Sequence, residues 1–228
     1  MPLLRLPNSV ALQNVGAFFR RSRAFEPSGD VAVLEFHPKW FHVEPVALAM
    51  AASWGTWARR SGYDLRAVNL GRKTAYAGRM HLFQILGIDF DPVFQEHEES
   101  GRFLPLFQVT DSAGVRRVVG DVSALLHLDD EPETLAAVQY CVSELLRNVL
   151  EHSNSPDGAF ICAHRYSSSK PQRVTIAVAD CGQGISNHLS SVYPAALTDD
   201  TTALQLAMRP GVTGARSGVY GAGDDCRL

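Results

Sequence analysis

Apolar and polar positions in the first half of the chain alternate between the spacing of strands and the spacing of helices. Residues 31–36 (VAVLEF) form a nearly continuous apolar run of strand length, which is typical of a strand buried on both faces. An alanine-rich helical pattern follows over 45–60, then a second strand over 64–70 and a second helix over 74–86. This alternation of strand and helix predicts a small α/β layer.

The first 29 residues carry a weaker pattern. We predict that residues 1–29 are a leader with one short amphipathic helix, which ends at Pro27-Ser28-Gly29. The apolar side of this helix would consist of Leu4, Val10, Leu12, Val15 and Phe18.

The second half of the chain contains a longer helical pattern and two further strands. In chain order, the predicted elements are a strand over 103–109, a helix over 119–128, a long helix that runs to residue 152, strands over 159–164 and 174–179, and a helix near 201–208. A soft boundary lies between about residues 112 and 120. We therefore predict a small α/β domain over 30–115 and a second domain over 116–228.

Composition restricts the class of protein and of partner. The chain has 228 residues, 46% of them hydrophobic and 20% charged, with a formal net charge of −3. This balance gives no electrostatic reason to expect nucleic acid or an anionic membrane as a partner. The sequence has no apolar stretch of the roughly 20 residues that a membrane span needs, and it has no signal-peptide pattern. Its four cysteines form no CxxC pair, so we predict a reduced, cytoplasmic protein.

The long helix that ends at His152 carries three polar residues with a shared spacing. Glu144, Asn148 and His152 stand at i, i+4 and i+8, so at about 100° per residue they lie on one narrow strip. The strip borders an apolar stripe formed by Val138, Val142, Leu145, Leu146 and Val149. An Asn carbonyl together with phosphate oxygens suits Mg²⁺, and a Glu one turn earlier can orient or deprotonate a water aimed at a γ-phosphate. Taken alone, the helix is also explained by half-exposed polar residues on an ordinary amphipathic surface.

A glycine turn follows the apolar strand over 174–179. Asp180 stands at the end of that strand, where a carboxylate is costly unless it meets a donor such as the exocyclic amine of adenine. Gly182 and Gly184 permit backbone conformations and close approaches that a Cβ would block. A solvent-exposed Asp in a tight turn is the alternative. The order of polar helix, two strands and glycine turn favours a nucleotide site.

With these motifs in this order, residues 131–223 resemble the gyrase, histidine kinase and MutL ATPase superfamily, also called the GHKL or Bergerat fold. The stretch SELLRNVLEH is most similar to anti-sigma-factor serine kinases and their stand-alone relatives. The resemblance implies that Asn148 coordinates Mg²⁺, that Glu144 positions water or the acceptor hydroxyl, and that Asp180 contacts the adenine amine. The other residues of these two motifs that it assigns to the nucleotide site are His152, Gly182 and Gly184. The sequence contains no GxxxxGK[ST] phosphate loop, which excludes the other large class of ATPases.

Two later segments are similar to the lid and to the second glycine box of the same superfamily. The lid would start at Pro210-Gly211-Val212-Thr213-Gly214, and the second box would stand at Gly221-Ala222-Gly223. The resemblance implies nucleotide contacts by Thr213, Gly214, Gly221 and Gly223. The GLGL continuation of the box is missing from the sequence, so we predict an ATPase domain that is incomplete at its C-terminus.

The predicted fold class is α+β, with a Bergerat-type α/β sandwich in which a mixed sheet has helices on one face. The domain before it weakly resembles STAS-like regulatory domains. The predicted function is Mg-ATP binding by a regulatory serine/threonine kinase or a slow ATPase that acts on, or with, a protein partner. The alternative is a non-catalytic interaction or nucleotide-sensing module. No nucleic-acid or membrane partner is expected, and a homodimer is left open.

Overall fold

The structure is a computed structural model that describes residues 1–10, 14–16, 22–38, 42–90, 101–167, 172–197 and 199–212. Within them the chain is mixed α and β, with two three-stranded sheets and one short strand pair. The strands are β1 (Leu3–Leu6), β2 (Ser9–Val10), β3 (Val31–Phe36), β4 (His42–Val43), β5 (Asp64–Val68), β6 (Phe103–Val109), β7 (Ala159–Tyr166) and β8 (Arg173–Ala179). The helices are α1 (Pro45–Arg60), α2 (Ala75–Arg79), α3 (Leu82–Leu86), α4 (Ser112–Leu126), α5 (Pro132–His152), α6 (Gly184–Ser190) and α7 (Asp200–Ala207).

The first sheet is parallel and has the strand order β1-β3-β5. Its central strand and the helix that follows confirm the predictions over 31–36 and 45–60. The strand predicted over 64–70 ends at Val68, because Asn69 takes a left-handed conformation with φ of 64°. The side-chain amide of Asn69 donates to the Phe36 carbonyl at 2.9 Å, which holds the ends of β3 and β5 together.

Within the described part of residues 1–29, the predicted leader helix is present only as a short helical stretch over 14–16 that contains Val15, whereas Leu4 and Val10 lie in strands. Leu4 and Leu6 lie in β1, where they are buried on either side of the exposed Arg5. This two-residue alternation is that of a strand, and pairing with β3 supplies the backbone hydrogen bonds. Leu12 and Phe18, two further members of the predicted helix, lie outside the described residues.

The single helix predicted over 74–86 is divided in the structure. A short 3₁₀ turn over Arg72–Thr74 leads into α2, and α3 begins only after His81, which has a φ of 62°. A residue in the left-handed region cannot continue an α-helix, so the chain changes direction there. The predicted end of this region is confirmed, because Gly87 caps α3 with a φ of 58°.

The second sheet is antiparallel, with the order β6-β7-β8. One face of β7 carries Ala159 and Ile161, which share a buried cluster with residues of α4 and α5. The other face carries Phe160 and Cys162, which share a cluster with residues of α1. Burial on both faces explains the unbroken apolar run in β7. The described sheet thus differs from the predicted one, because its strand pairs are antiparallel and helices cover both of its faces.

Contacts across the predicted domain boundary are extensive. The boundary between 115 and 116 falls inside α4, which begins earlier than predicted because Asp111 caps it by accepting a hydrogen bond from Gly114 N at 2.7 Å. The strand before it, β6, pairs with β7 from the later half. Residues 103–115 therefore belong structurally with the elements that follow them.

A polar cluster also joins the two halves. The buried Glu44 forms an ion pair with Arg173 at 2.6 Å, and the Tyr76 hydroxyl lies 2.9 Å from His164 Nδ1. Burial raises the pKa of the Tyr76 hydroxyl well above its usual value, so the group stays protonated and can donate. These contacts attach the segment around α1 to the strands that lead to the glycine turn.

Within the described residues, the helices include none that is both long enough and apolar enough to cross a membrane.

Candidate functional site

Helix α5 carries Glu144, Asn148 and His152 as predicted from their spacing. It starts with Pro132 in its first turn and runs without interruption to His152. Asn148 is exposed, whereas Glu144 and His152 are partly buried. At 1.5 Å per residue, the first and last of the three lie about 12 Å apart along the helix axis. The strip is therefore a ridge open to solvent, long enough to follow an extended ligand.

The apolar stripe of α5 is narrower than predicted. Val142 and Leu146 are buried, and Val138 and Val149 are partly buried against the same cluster. Leu145 is 52% exposed, which corrects its predicted place in the core. Its side chain lines an apolar cavity of about 310 Å³ between α5 and β8. The residues that line this cavity are Thr134, Ala137, Val138, Cys141, Val142, Leu145, Ile176 and Val178, so it lies beside the predicted site residues and contains none of them.

Glu144 is engaged within its own helix. Its Oε1 lies 3.1 Å from Nη1 of Arg147, and the Glu144 side chain is 34% exposed. An ion pair at i, i+3 on an exposed helix surface is weak and exchanges readily with water. The carboxylate is thus close to solvent, and in this conformation it is directed toward Arg147.

Asp180 stands where β8 ends and shapes the glycine turn with its own side chain. One carboxylate oxygen, Oδ1, accepts a hydrogen bond from Gly182 N at 2.7 Å. This is an Asx turn, in which the side chain replaces a backbone carbonyl. Among the described residues, no donor binds the other carboxylate oxygen. That oxygen is the atom of the turn that is able to accept a hydrogen bond from a ligand.

Gly182 brings the turn into direct contact with the end of α5. A Cβ at this position would overlap the carbonyl oxygen of Ser153 and would lie 2.7 Å from the Ser153 Cβ. Real Cβ atoms essentially never come within 3.0 Å of such atoms, so only glycine fits. Ser153 is the residue that follows His152. The two motifs that the sequence places about thirty residues apart therefore meet in the structure.

Gly184 is needed for a different reason. Its φ of 76° lies in the left-handed region, and nothing stands within 4 Å of the position of a Cβ. Gly184 is also the first residue of α6, so its conformation turns the chain into that helix. One glycine of the turn thus permits a close approach, and the other permits a backbone conformation.

Gln183 connects the turn to α5 through two hydrogen bonds that the sequence analysis did not predict. Its backbone N–H donates to the Ser153 carbonyl at 2.7 Å, and its side-chain Nε2 donates to the His152 carbonyl at 2.7 Å. The last carbonyls of a helix have no partner inside the helix, so these bonds cap α5. The sequence signal that could have indicated this role is the position of Gln183, a hydrogen-bond donor between Gly182 and Gly184.

A pair of histidines lies against this junction. The rings of His152 and His188 have centroids 4.8 Å apart, and His152 Nε2 lies 4.0 Å from the Glu151 carboxylate. Gln183 Nε2 lies 3.3 Å from His188 Nδ1. Partial burial, and then the neighbouring His152, lowers the pKa of His188 below its usual value. A neutral His188 ring can accept from the amide, since the amide nitrogen is only a donor.

The predicted site residues of the later part of the chain are not placed. Thr213, Gly214, Gly221 and Gly223 lie outside the described residues. Among the residues that are described, the structure brings together His152 and the Asp180–Gly184 turn. Asn148 and Glu144 lie on the same helix, one and two turns before the contact.

A comparison of the chain with models of known protein families, with curated proteins and with solved structures found no match. Within the described part of the chain, no group of three or more His, Cys, Asp or Glu side chains is arranged to hold a metal ion.

Proposed function

We propose that this protein binds ATP with Mg²⁺ in the manner of the GHKL superfamily. The observation that carries the proposal is the contact between Gly182 and Ser153, because it sets the glycine turn against the helix with the Glu144, Asn148 and His152 strip. A nucleotide held by both motifs would have its adenine near Asp180 and its phosphates along the strip. The resemblance of the second half to the GHKL superfamily and the weak resemblance of the first half to STAS-like domains belong to the same proposal.

The residues present fit the proposed ligands. The second carboxylate oxygen of Asp180 is an acceptor that suits the exocyclic amine of adenine. The exposed Asn148 offers a hard amide oxygen, and Mg²⁺ commonly takes one or two protein oxygens and completes its shell with phosphate oxygens and water. When bound, Mg²⁺ would neutralise phosphate charge. The glycine turn would allow the ligand to approach the backbone closely.

Turnover by a kinase or slow ATPase depends on Glu144 in this proposal. To orient a water or an acceptor hydroxyl, its carboxylate has to rotate away from Arg147, at the cost of a weak surface ion pair. The acceptor would be a serine or threonine of a protein partner, or water in a slow ATPase.

The contact between Glu144 and Arg147 also favours the second candidate function. A carboxylate that stays paired at 3.1 Å does not position a water, whereas nucleotide binding through Asn148 and Asp180 does not need it. A nucleotide-sensing or interaction module without turnover is therefore the alternative.

Calorimetry with ATP and MgCl₂ tests the binding proposal through Asp180→Asn. Asparagine keeps an oxygen that accepts from Gly182 N–H, but it replaces the second oxygen with an NH₂ group. We expect ATP affinity to fall about 10- to 100-fold, because a hydrogen bond to a charged group contributes about 1.5–3 kcal/mol. The matched control is Asp121→Asn on the exposed side of α4, which should bind as the wild type does. Wild-type protein that does not bind ATP would refute the proposal.

Release of labelled γ-phosphate then separates the two candidate functions. A kinase or ATPase should release or transfer phosphate. A positioned acid or base usually contributes about 10²- to 10⁴-fold to the rate, so Glu144→Gln should slow the reaction by at least about 100-fold. If wild type and Glu144→Gln bind ATP equally and neither turns it over, the sensing module is the correct function.

A further inference from the structure

We propose that Gln183 is a positioning residue, which sets the distance between the adenine end and the magnesium end of the nucleotide site. The inference rests on the proposed function and adds Gln183 to the residues of the nucleotide site, none of the GHKL motifs having assigned it a role. Its basis is the set of contacts by which Gln183 ties the glycine turn to the end of α5.

The Gln183 contacts lie at the end of α5. Two bonds of 2.7 Å, from the backbone N–H and from Nε2, reach the carbonyls of Ser153 and His152. Asp180 is three residues before Gln183 and belongs to the same turn. Asn148 is one helical turn before His152, about 6 Å along the axis. Gln183 thus links the turn that carries Asp180, proposed for adenine, to the helix that carries Asn148, proposed for Mg²⁺.

The Gln183 side chain makes a bond to α5 that the backbone does not duplicate. Nε2 donates to the His152 carbonyl and also lies 3.3 Å from His188 Nδ1, so the amide is held from two elements, α5 and α6. Without this amide, the turn keeps its backbone bond to Ser153 and can pivot about it. A pivot would leave Asp180 and the turn intact, but would change their distance from Asn148.

This geometry predicts different effects on two ligands. AMP engages the adenine end, whereas Mg-ATP has to engage both ends at once. In Gln183→Met, whose side chain has a similar length and no donor, we expect Mg-ATP affinity to fall about tenfold, which corresponds to one hydrogen bond. AMP affinity should change less than about twofold. A purely structural role would weaken both ligands by the same factor.

Calorimetry with AMP and with Mg-ATP on the full chain makes the test. Gln108→Met is the matched control, because Gln108 Nε2 also donates to a backbone carbonyl, that of Asp157, at 2.9 Å and lies outside the site. If Gln183→Met fails to fold, Gln183→Asn replaces it, since its amide is one methylene too short to reach. If Gln183→Met loses the same factor of affinity for AMP and for Mg-ATP, or loses none, the inference is overturned. The proposed function still stands in that case, provided that the wild-type protein binds Mg-ATP. Wild-type protein that binds neither ligand overturns both.

Discussion

Substitution of Gly182 by alanine tests the contact on which the candidate site depends. The new Cβ would overlap the Ser153 carbonyl oxygen and would stand 2.7 Å from the Ser153 Cβ, where ordinary contacts are 3.4–4 Å. One of these Ser153 atoms is in the backbone and the other is the Cβ attached to it, so neither can move aside by a side-chain rotation. The turn and the end of α5 have to separate by roughly 1 Å to reach normal contact distances.

The energetic cost follows from the bonds that this separation breaks. The two hydrogen bonds from Gln183 to Ser153 and His152 are 2.7 Å long, and a shift of roughly 1 Å takes them beyond the usual 3.2 Å limit. Each contributes about 1 kcal/mol net, so Gly182→Ala should lower the free energy of unfolding by about 2–3 kcal/mol. For a chain of this size, that is a fall in Tm of about 5–10 °C.

Urea unfolding measures the change, and amide exchange locates it. The Gln183 N–H should exchange slowly in the wild type and about as fast as an exposed amide in Gly182→Ala. The control is Gly120→Ala in α4, where a Cβ meets open space and helix propensity predicts a gain of up to about 1 kcal/mol. The error of such measurements is about 0.5 kcal/mol. If the free energy of unfolding of Gly182→Ala agrees with that of the wild type within this error, and the Gln183 N–H still exchanges slowly, the contact between Gly182 and Ser153 is refuted.

Three further predictions follow from particular residues. Because the pKa of His188 is lowered in the folded state, its contribution to stability should be fully present above the unfolded pKa of about 6.5 and should be lost as pH falls through the folded pKa. Urea midpoints measured at several pH values should depend less on acid in His188→Asn than in the wild type. Equal pH dependence of the two proteins would contradict the lowered pKa. Cys162 is buried and burial raises its pKa, so thiol labelling of the native protein followed by peptide mapping should find the exposed Cys141 modified and Cys162 protected until unfolding. Gly158→Ala should destabilise by about 3 kcal/mol or more in urea unfolding, because its φ is 68° and a Cβ would overlap the Val109 carbonyl; a loss below 1 kcal/mol would show that the loop relaxes.

Much of the secondary structure followed from local pattern. The strands over 31–36 and 103–109 and the helix that ends at His152 were predictable because their periodicity and caps lie within the elements themselves. The same holds for the strip of Glu144, Asn148 and His152, since helical phase depends only on spacing. The function expected from these residues remains a proposal.

Where the local pattern failed, the deciding contact was distant in the chain. Leu4 and Leu6 form a strand because β3 offers them a pairing edge, although the spacing of Leu4 with Val10 and Leu12 also suited a helix. Leu145 fits the apolar stripe of α5 by spacing, yet it is 52% exposed and lines the cavity between α5 and β8. Neither outcome can be derived from the residues of one segment.

The candidate site divides in the same way. A polar helical strip and a glycine turn were predictable from the sequence, because residue type and local spacing are enough for both. The packing of Gly182 on Ser153 and the capping of α5 by Gln183 became visible only in the folded chain. These contacts join residues about thirty positions apart, and their geometry depends on how β7 and β8 fold back along the helix. That path is set by packing on both faces of the sheet, which no local pattern in the sequence records.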